Sequence, residues 1–313
     1  MVRTVLEDID IDAVGTASMH EHLFLHMSPH SKYPELCIDS FEKTLEEVQY
    51  FKEAGGKTVV DATPLGCGRA PDKLRDISEE AGINIVMATG SLGNGPGRPP
   101  LPAFPPVPDR LINSSIRELA EIFYKEIAFG TFDSTSRAGV IKVATSYKTI
   151  TEYERNLLKA AAIASIESGA PITTHCQLGT MGLEQTKILK DMGVRPGKII
   201  IGHLDLHPDI EYYKKIASEG VWIQFDRMGR DKYVKDSVRI ELITQLVREG
   251  FESQMLFGSD MGSNRYWRTY NGSPGLDFML TGFLRGLREN GMSESSITKI
   301  TSYNPGIALD LES

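Results

Sequence analysis

The sequence has 313 residues, of which 41% are hydrophobic and 24% charged, as is ordinary for a globular protein. A formal net charge of −8 argues against nucleic acid or an anionic membrane as the main partner. The three cysteines include no Cys-x-x-Cys pair, and acidic residues stand where a signal peptide would have its apolar stretch. No apolar window approaches the roughly 18 to 20 residues of a membrane-spanning helix. These features predict a cytoplasmic protein.

Eight short apolar runs predict β-strands. Their near-continuous apolar character indicates strands that are buried on both faces, as in a parallel sheet. In chain order they are TASMHEHLFL near Thr16, KTVVDAT from Lys57, INIVMATG from Ile83, GVIKVAT from Gly139, APITTHC from Ala170, KIIIGHL from Lys198, GVWIQFD from Gly220 and QMLFGSD from Gln254.

Amphipathic helical patterns separate these runs, for example from Ser40, from Ile116 and from Thr151. Ser40 and Thr151 are suitable N-cap residues. Eight β-then-α units predict a single (β/α)8 TIM barrel domain over residues 1–313, with its active site at the C-terminal ends of the strands. A doubly wound open sheet is the alternative, but no glycine-rich dinucleotide fingerprint follows any strand.

Residues 93–108 read GNGPGRPPLPAFPPVP, a proline density that excludes helix and central strand. The segment follows the third predicted strand, so in a barrel it would be a long loop at the C-terminal mouth. It is either a stiff surface connector, or a loop that walls the substrate pocket or contacts another subunit.

Four histidines lie in or at the ends of predicted strands. His20 and His22 are two residues apart on a strand, so both imidazoles can reach one ion while Glu21 points away. Such a pair could instead be two satisfied polar residues at a strand end. His175 and His203 each close an apolar run, where a single histidine is more typically a hydrogen-bonded core residue. Their equivalent positions on consecutive strands favour a shared metal site.

Asp260 and Lys142 are charged residues within apolar runs. A carboxylate at the end of a buried strand needs a cation or several donors, although it could also cap a following helix. Burial of Lys142 favours the neutral amine, which can react with carbon dioxide to give a carbamate that bridges two metals. The alternatives are a salt bridge across the barrel and a Schiff-base lysine. The histidines favour the bridging ligand.

This set resembles the metal centre of the phosphotriesterase family of the amidohydrolase superfamily, which includes the phosphotriesterase-like lactonases. The resemblance extends from MVRTVLEDI to Asn304-Pro305-Gly306, nearly the whole chain. GTASMHEHL resembles the family's opening motif GxTxxHEHL. GVIKVATS matches its strand-four lysine segment, and FGSD matches its strand-eight aspartate segment.

The resemblance implies two divalent cations at the mouth of the barrel, with zinc expected and cobalt, manganese or iron as alternatives. One cation would be held by His20, His22 and Asp260, and a carboxylated Lys142 (N6-carboxylysine) and a hydroxide would bridge the pair. Asp260 would also be catalytic, taking a proton from the attacking hydroxide and passing it to the leaving group. The resemblance further implies a homodimer. The six expected ligands are His20, His22, Lys142, His175, His203 and Asp260.

The pocket segments match the family less closely. Its lactonases usually carry a tyrosine after strand three, whereas this stretch reads ATGSLGNG, with Ser91 and Leu92. This difference argues against acyl-homoserine-lactone activity. Arg227, in FDRMGRDKY, matches an arginine that the lactonases keep at their pocket, although it could also be a surface charge.

The stretch MGSNRYWRTYNGSPG after strand eight contains Tyr266 and Trp267, and with Lys232 it could form an anion-binding rim. It resembles the branch of the family that hydrolyses sugar lactones, some of them phosphorylated, with Lys232 and Tyr266 at matching positions. The branch's arginine position is Ser263 here. We therefore expect Arg227, Lys232, Tyr266 and Trp267 to bind substrate, and the alternative is a solvated loop.

Three function classes follow for a small-molecule substrate. The favoured one is a lactonase that opens a small sugar-like lactone, with or without a phosphate. The alternative is phosphotriesterase (aryldialkylphosphatase) activity on organophosphates, as a dedicated or promiscuous reaction. A non-catalytic binding member is less favoured because binding alone has no need for six metal ligands. An amidase or dihydroorotase-like reaction ranks lower.

Overall fold

The computed structural model describes residues 1–26, 33–92 and 108–312. The proline-rich loop expected at 93–108 therefore lies outside the described residues, apart from Pro108. Among the described helices, none is both long enough and apolar enough to cross a membrane.

Eight strands form one sheet in which consecutive strands are hydrogen-bonded neighbours, from β1 at one end to β8 at the other. Every neighbouring pair is parallel, as strands joined by helical crossovers require. The predicted (β/α)8 barrel is confirmed. The strands are β1 Ala17–Glu21, β2 Thr58–Asp61, β3 Asn84–Gly90, β4 Val140–Thr145, β5 Ile172–Cys176, β6 Ile199–Gly202, β7 Trp222–Phe225 and β8 Met255–Phe257.

The helices surround this sheet, and two of the three helical patterns begin at the expected caps. The side chain of Ser40 accepts a hydrogen bond from the Lys43 N–H, and that of Thr151 accepts one from the Glu154 N–H. The α-helices are α1 Phe41–Glu53, α2 Pro71–Ala81, α3 Asp109–Ile112, α4 Ile116–Ala128, α5 Glu152–Ser168, α6 Gly182–Asp191, α7 Ile210–Ala217, α8 Asp236–Arg248, α9 Leu284–Glu289, α10 Glu294–Thr298 and α11 Asn304–Leu309.

The apolar residues divide into an outer core between strands and helices and a smaller inner core enclosed by the strands. On β4, Val140 belongs to the inner core, whereas Ile141 and Val143 belong to the outer one. Because side chains alternate along a strand, Lys142 points into the barrel. Its surroundings confirm this direction, since its Nζ lies 3.1 Å from His20 Nε2.

Strand β1 departs from strict alternation. Met19 belongs to the inner core, so regular pleating would turn His20 toward the helices. The pairing of β1 with β2 shifts register between Ser18 and Glu21. Such an irregularity re-aims the following side chain, and His20 faces the interior as well. The sequence prediction of one long strand through LFL was wrong, because β1 ends at Glu21 and Leu25–His26 instead pairs with Cys37–Ile38.

Candidate metal centre

The ends of β1 and β8 bring two imidazoles and one carboxylate together. His22 Nε2 lies 3.1 Å from Asp260 Oδ1, and His20 Nε2 lies 3.9 Å from the same oxygen. His22 is oriented from behind by a 2.8 Å hydrogen bond between its Nδ1 and Thr63 Oγ1. Asp260 has a backbone φ of 48°, a left-handed conformation that is uncommon outside glycine. Two histidines from the end of β1 and one carboxylate that follows β8 therefore converge on one point.

Lys142 extends this group across the barrel. Its side chain is 1% exposed, and its Nζ contacts His20 Nε2 at 3.1 Å. Burial lowers the pKa of Lys142 to about 8, although Asp226 and Asp260 act to raise it. No carboxylate in the described part of the chain forms an ion pair with this amine. A buried amine contacting an imidazole, with no carboxylate partner, has the environment that a carbamate precursor needs.

Asp226 follows β7 and orients two of the expected ligands. Its Oδ2 lies 2.7 Å from His20 Nδ1, and its Oδ1 lies 2.6 Å from His203 Nδ1. Burial alone would raise the pKa of Asp226, but His203 and His20 hold it well below its ordinary value. As an ionised acceptor it fixes the proton of each ring on Nδ1, which leaves Nε2 to face the site. Asp226 was not among the predicted site residues, although it closes GVWIQFD as Asp260 closes QMLFGSD.

His203 and His175 form the second half of the site. His203 Nε2 lies 3.8 Å from Asp260 Oδ2, and the two histidine rings are 4.3 Å apart, centroid to centroid. Burial lowers the pKa of His203, so its imidazole is kept neutral. His175 uses Nε2 to contact Gln177 Oε1 at 2.7 Å. If His175 binds a metal from this position, its ligand atom is Nδ1.

Two arginines cover the carboxylate of Asp260. Arg227 Nε lies 3.2 Å and Arg230 Nη1 3.4 Å from Asp260 Oδ2. Burial acts to raise the pKa of Asp260, but Arg227, Arg230, the hydrogen bond with His22 and the nearby His20 together hold it well below its ordinary value. Arg230 is 5% exposed, and its Nε and Nη2 have no hydrogen-bond partner among the described residues. Arg227 was among the predicted site residues, whereas Arg230, three residues later in the same loop, was not.

The other predicted substrate contacts occupy different environments. Tyr266 lies beneath Arg230, whose guanidinium is 4.3 Å from the ring centroid. Lys232 is exposed, with its Nζ 5.7 Å from the ring of Tyr233. Trp267 is fully buried, and its Nε1 donates a 2.7 Å hydrogen bond to the Met261 carbonyl. Its side chain is therefore used in packing the loop that follows Asp260 and offers no surface to a substrate.

The two arginines of the expected rim are paired elsewhere. Arg265 forms a 3.2 Å ion pair with Glu35, and Arg268 forms one of 2.7 Å with Asp277. The guanidinium groups that contact Asp260 are thus those of Arg227 and Arg230, and the two arginines of the NRYWRTY stretch bind other carboxylates.

The donor set fits divalent cations. His20, His22 and Asp260 place one possible ligand atom each within 4.8 Å of one another. Neutral imidazoles, a carboxylate and a modifiable lysine are ligands that zinc, cobalt, manganese and iron accept. His20, His203 and Asp226 also place one possible ligand atom each within 4.8 Å of one another. Their short contacts are between Nδ1 atoms and the carboxylate, which makes Asp226 the orienting partner behind the ligands.

Comparison with known proteins identifies the family of this chain. The sequence profile of the phosphotriesterase family matches residues 1–309. The chain is 31% identical to an aryldialkylphosphatase from Saccharolobus solfataricus, over 96% of each protein. It is 34% identical to a phospho-furanose lactonase from Mycoplasmopsis agalactiae, over 97% of this chain and 90% of that protein.

Solved structures show the same relationship. A lactonase from Listeria monocytogenes superposes with a TM-score of 0.90 at 31% identity, covering 100% of this chain and 99% of the other. The phosphotriesterase homology protein from Escherichia coli, crystallised with phosphate in its active site, gives 0.89 at 28% identity, over 96% and 100%. As its sequence motifs predict, this chain belongs to the phosphotriesterase family, shares its fold and is a hydrolase that acts on esters.

Proposed function

We propose that this protein is a lactonase that opens small, anionic, sugar-like lactones with the help of two divalent cations. The observation that carries the proposal is the convergence of His20, His22 and His203 on the carboxylate of Asp260, with the buried amine of Lys142 in contact with His20. His20, His22 and Asp260 would hold the first cation, and His175 and His203 the second. Zinc is our first expectation. When bound, the pair supplies Lewis-acid activation of water and of the substrate carbonyl.

Lys142 would join the two cation sites as a carbamate. Its neutral amine adds to carbon dioxide, forming one N–C bond and releasing one proton, which yields an anionic group with two ligand oxygens. The lowered pKa and the lack of an ion pair among the described residues support this modification. It is tested by ¹³C NMR of protein prepared with labelled bicarbonate, which should show one carbamate carbon that disappears in Lys142→Ala.

Asp260 is the residue placed to move the proton during ring opening. Water adds to the lactone carbonyl, the ring C–O bond breaks, and the product is a hydroxy acid. Arg227 and Arg230 keep Asp260 ionised, so its carboxylate can accept the proton from water and return it to the leaving oxygen. Asp260→Asn should therefore lose turnover more than substrate binding.

The arginines also support a preference for anionic substrates. Arg227 and Arg230 bring two positive charges to Asp260, and among the described residues the buried Nε and Nη2 of Arg230 have no hydrogen-bond partner. A buried donor without a partner is costly, and a substrate phosphate or carboxylate would satisfy it. Two relatives of this chain are phospho-furanose lactonases, which agrees with a preference for anionic lactones. Tyr266 would support Arg230, and Lys232 would meet the anion at the rim.

The activity test compares γ- and δ-lactones with and without a phosphate or carboxylate, beside paraoxon, in protein of measured metal content. We expect the anionic lactones to give the highest kcat/KM, and Arg230→Met to reduce this advantage more than it reduces turnover of neutral lactones. Turnover of paraoxon above that of every lactone would favour the phosphotriesterase alternative. No turnover, with no metal bound after addition of zinc, cobalt or manganese, would favour a binding protein.

The remaining expectations concern organisation and location. We propose a single barrel domain, a homodimer and a cytoplasmic location. The family profile over residues 1–309 and three free cysteines support the first and the last of these. Sedimentation analysis tests the homodimer, which rests on the family resemblance alone.

A further inference from the structure

The sheet has a seam between its first and last strands. Among the described residues, β1 and β8 are not hydrogen-bonded neighbours in the ladder, whereas each of the other consecutive pairs is. The backbones are nevertheless close, since a Cβ on Gly258 would lie 2.8 Å from His20 N. The Asp260 N–H also donates a 2.8 Å hydrogen bond to the His20 carbonyl. The first cation site lies at this seam.

The carboxylate of Glu21 bridges the seam. Glu21 is fully buried, and its Oε1 accepts a 3.0 Å hydrogen bond from the Ser259 N–H. Its Oε2 accepts one of 3.0 Å from the Met261 N–H, and Ser18 Oγ donates to Oε1 at 2.5 Å. One side chain therefore binds the peptide N–H groups on both sides of Asp260.

This arrangement bears on Asp260 because of its backbone conformation. A φ of 48° is unfavourable for an aspartate and persists only where the surrounding structure holds it. The two N–H groups that Glu21 binds belong to the residues flanking this strained position. Holding both keeps the Asp260 side chain directed at His20 and His22.

We propose that Glu21 is a positioning residue that fixes Asp260 at the barrel seam and thereby sets the affinity of the first cation. It acts through hydrogen bonds to the backbone and is neither a ligand nor a catalytic group. The His-Glu-His segment then supplies two ligands from its histidines and, from the residue between them, the support for the third. The inference rests on the proposed cation site at Asp260.

The test is Glu21→Gln, which keeps the shape but replaces one acceptor oxygen by an NH₂ donor. One of the two backbone N–H groups then faces a donor and loses its partner. We expect the first cation to bind about tenfold or more weakly, as for other lost orienting contacts, and the second to change less than about threefold. Stepwise dissociation constants come from titration against a chromophoric chelator. kcat should fall with KM little changed.

Glu47→Gln is a matched control. Glu47 is also fully buried, and its carboxylate accepts 3.0 Å hydrogen bonds from the N–H groups of Thr269 and Leu276. The Glu47→Gln variant loses a hydrogen bond between a carboxylate and a backbone N–H, as Glu21→Gln does, but the N–H groups concerned do not flank Asp260. We therefore expect a lower free energy of unfolding and an unchanged affinity for the first cation. Ser18→Ala loosens Glu21 without altering the carboxylate and should selectively weaken the first cation to a smaller degree.

Two outcomes would overturn the inference. One is first-cation affinity in Glu21→Gln equal to that of Glu47→Gln, and the other is equal weakening of both cations. Hydrogen exchange of the Ser259 and Met261 amides tests the Glu21 hydrogen bonds independently of the proposed function. If the wild-type protein binds no cation, the function fails, while faster exchange of these amides in Glu21→Gln still reports the bridge. Unchanged exchange shows that no bridge exists.

Discussion

Replacing Asp226 by asparagine should weaken one cation site more than the other. The carboxylate accepts from the Nδ1 atoms of His20 and His203, at 2.7 and 2.6 Å, and from the His203 N–H at 3.1 and 3.2 Å. Asparagine keeps one acceptor oxygen and gains an NH₂ donor. Oδ1 accepts the shorter bonds, 2.6 Å from His203 Nδ1 and 3.1 Å from its N–H, which favours placing the remaining oxygen there, so the NH₂ faces His20. The His20 ring must then carry its proton on Nε2, the nitrogen needed for the cation.

The magnitude follows from the loss of one orienting partner. Such changes reduce metal affinity about 10- to 100-fold, which corresponds to roughly 1.4 to 2.7 kcal/mol. We expect this loss at the cation held by His20, His22 and Asp260, and a smaller one at the cation held by His203. Asp226→Ala removes both acceptors and should weaken both cations.

Chelator competition, with bound metal counted by mass spectrometry, measures the two affinities. Glu126→Gln is a control, because Glu126 is a buried carboxylate that binds Arg69 by hydrogen bonds of 2.8 and 2.9 Å, away from the metal centre. It should lower the free energy of unfolding and leave both affinities in place. Undiminished affinity for both cations in Asp226→Asn would refute the assignment of this carboxylate.

Three further changes test the scaffold. Gly90→Ala should destabilise the protein and lower its metal content. The backbone φ at Gly90 is 101°, and the new Cβ would lie 2.0 Å from the Lys142 carbonyl oxygen. Thermal melts measure the loss of stability, and metal analysis measures the metal content. Trp267→Ala should cost about 3 to 5 kcal/mol in the free energy of unfolding, measured in urea, because it empties a fully buried site. Thr151→Ala removes the cap of α5 and should cost about 1 kcal/mol in the same assay with kcat/KM unchanged.

Much of the fold could be predicted because it depends on local patterns. Buried parallel strands are apolar along their length, and helices between them begin at capping residues such as Ser40 and Thr151. The end of β1 was mispredicted for a physical reason. LFL continues the apolar run after His22, but the chain leaves the sheet at Glu21 and Leu25 pairs with a different strand. Apolar character reports burial and does not identify the pairing partner.

The expected metal ligands could be predicted from the sequence for a similar reason. A charged or imidazole side chain in an apolar run is exceptional, so Lys142, His175 and Asp260 each stand out in the sequence. Arg230 does not stand out in the sequence, because the loops at the mouth of the barrel contain several arginines. Arg265 and Arg268 find carboxylate partners outside the site, whereas Arg230 turns inward over Tyr266. Loop conformation decides this, and it has no periodic signature.

Three buried carboxylates around the centre differ in the donors that surround them. Asp226 faces imidazole Nδ1 atoms, and Glu21 faces backbone N–H groups, so the oxygens of both are already occupied by fixed donors. Asp260 lies among the Nε2 atoms of the histidines and is otherwise contacted by two arginines at 3.2 and 3.4 Å. A cation could replace these guanidinium contacts without leaving a backbone amide or a ring N–H unpaired. The surroundings thus make Asp260 the carboxylate best placed to bind a metal, whereas sequence position at the end of a strand would assign Asp226 the same role.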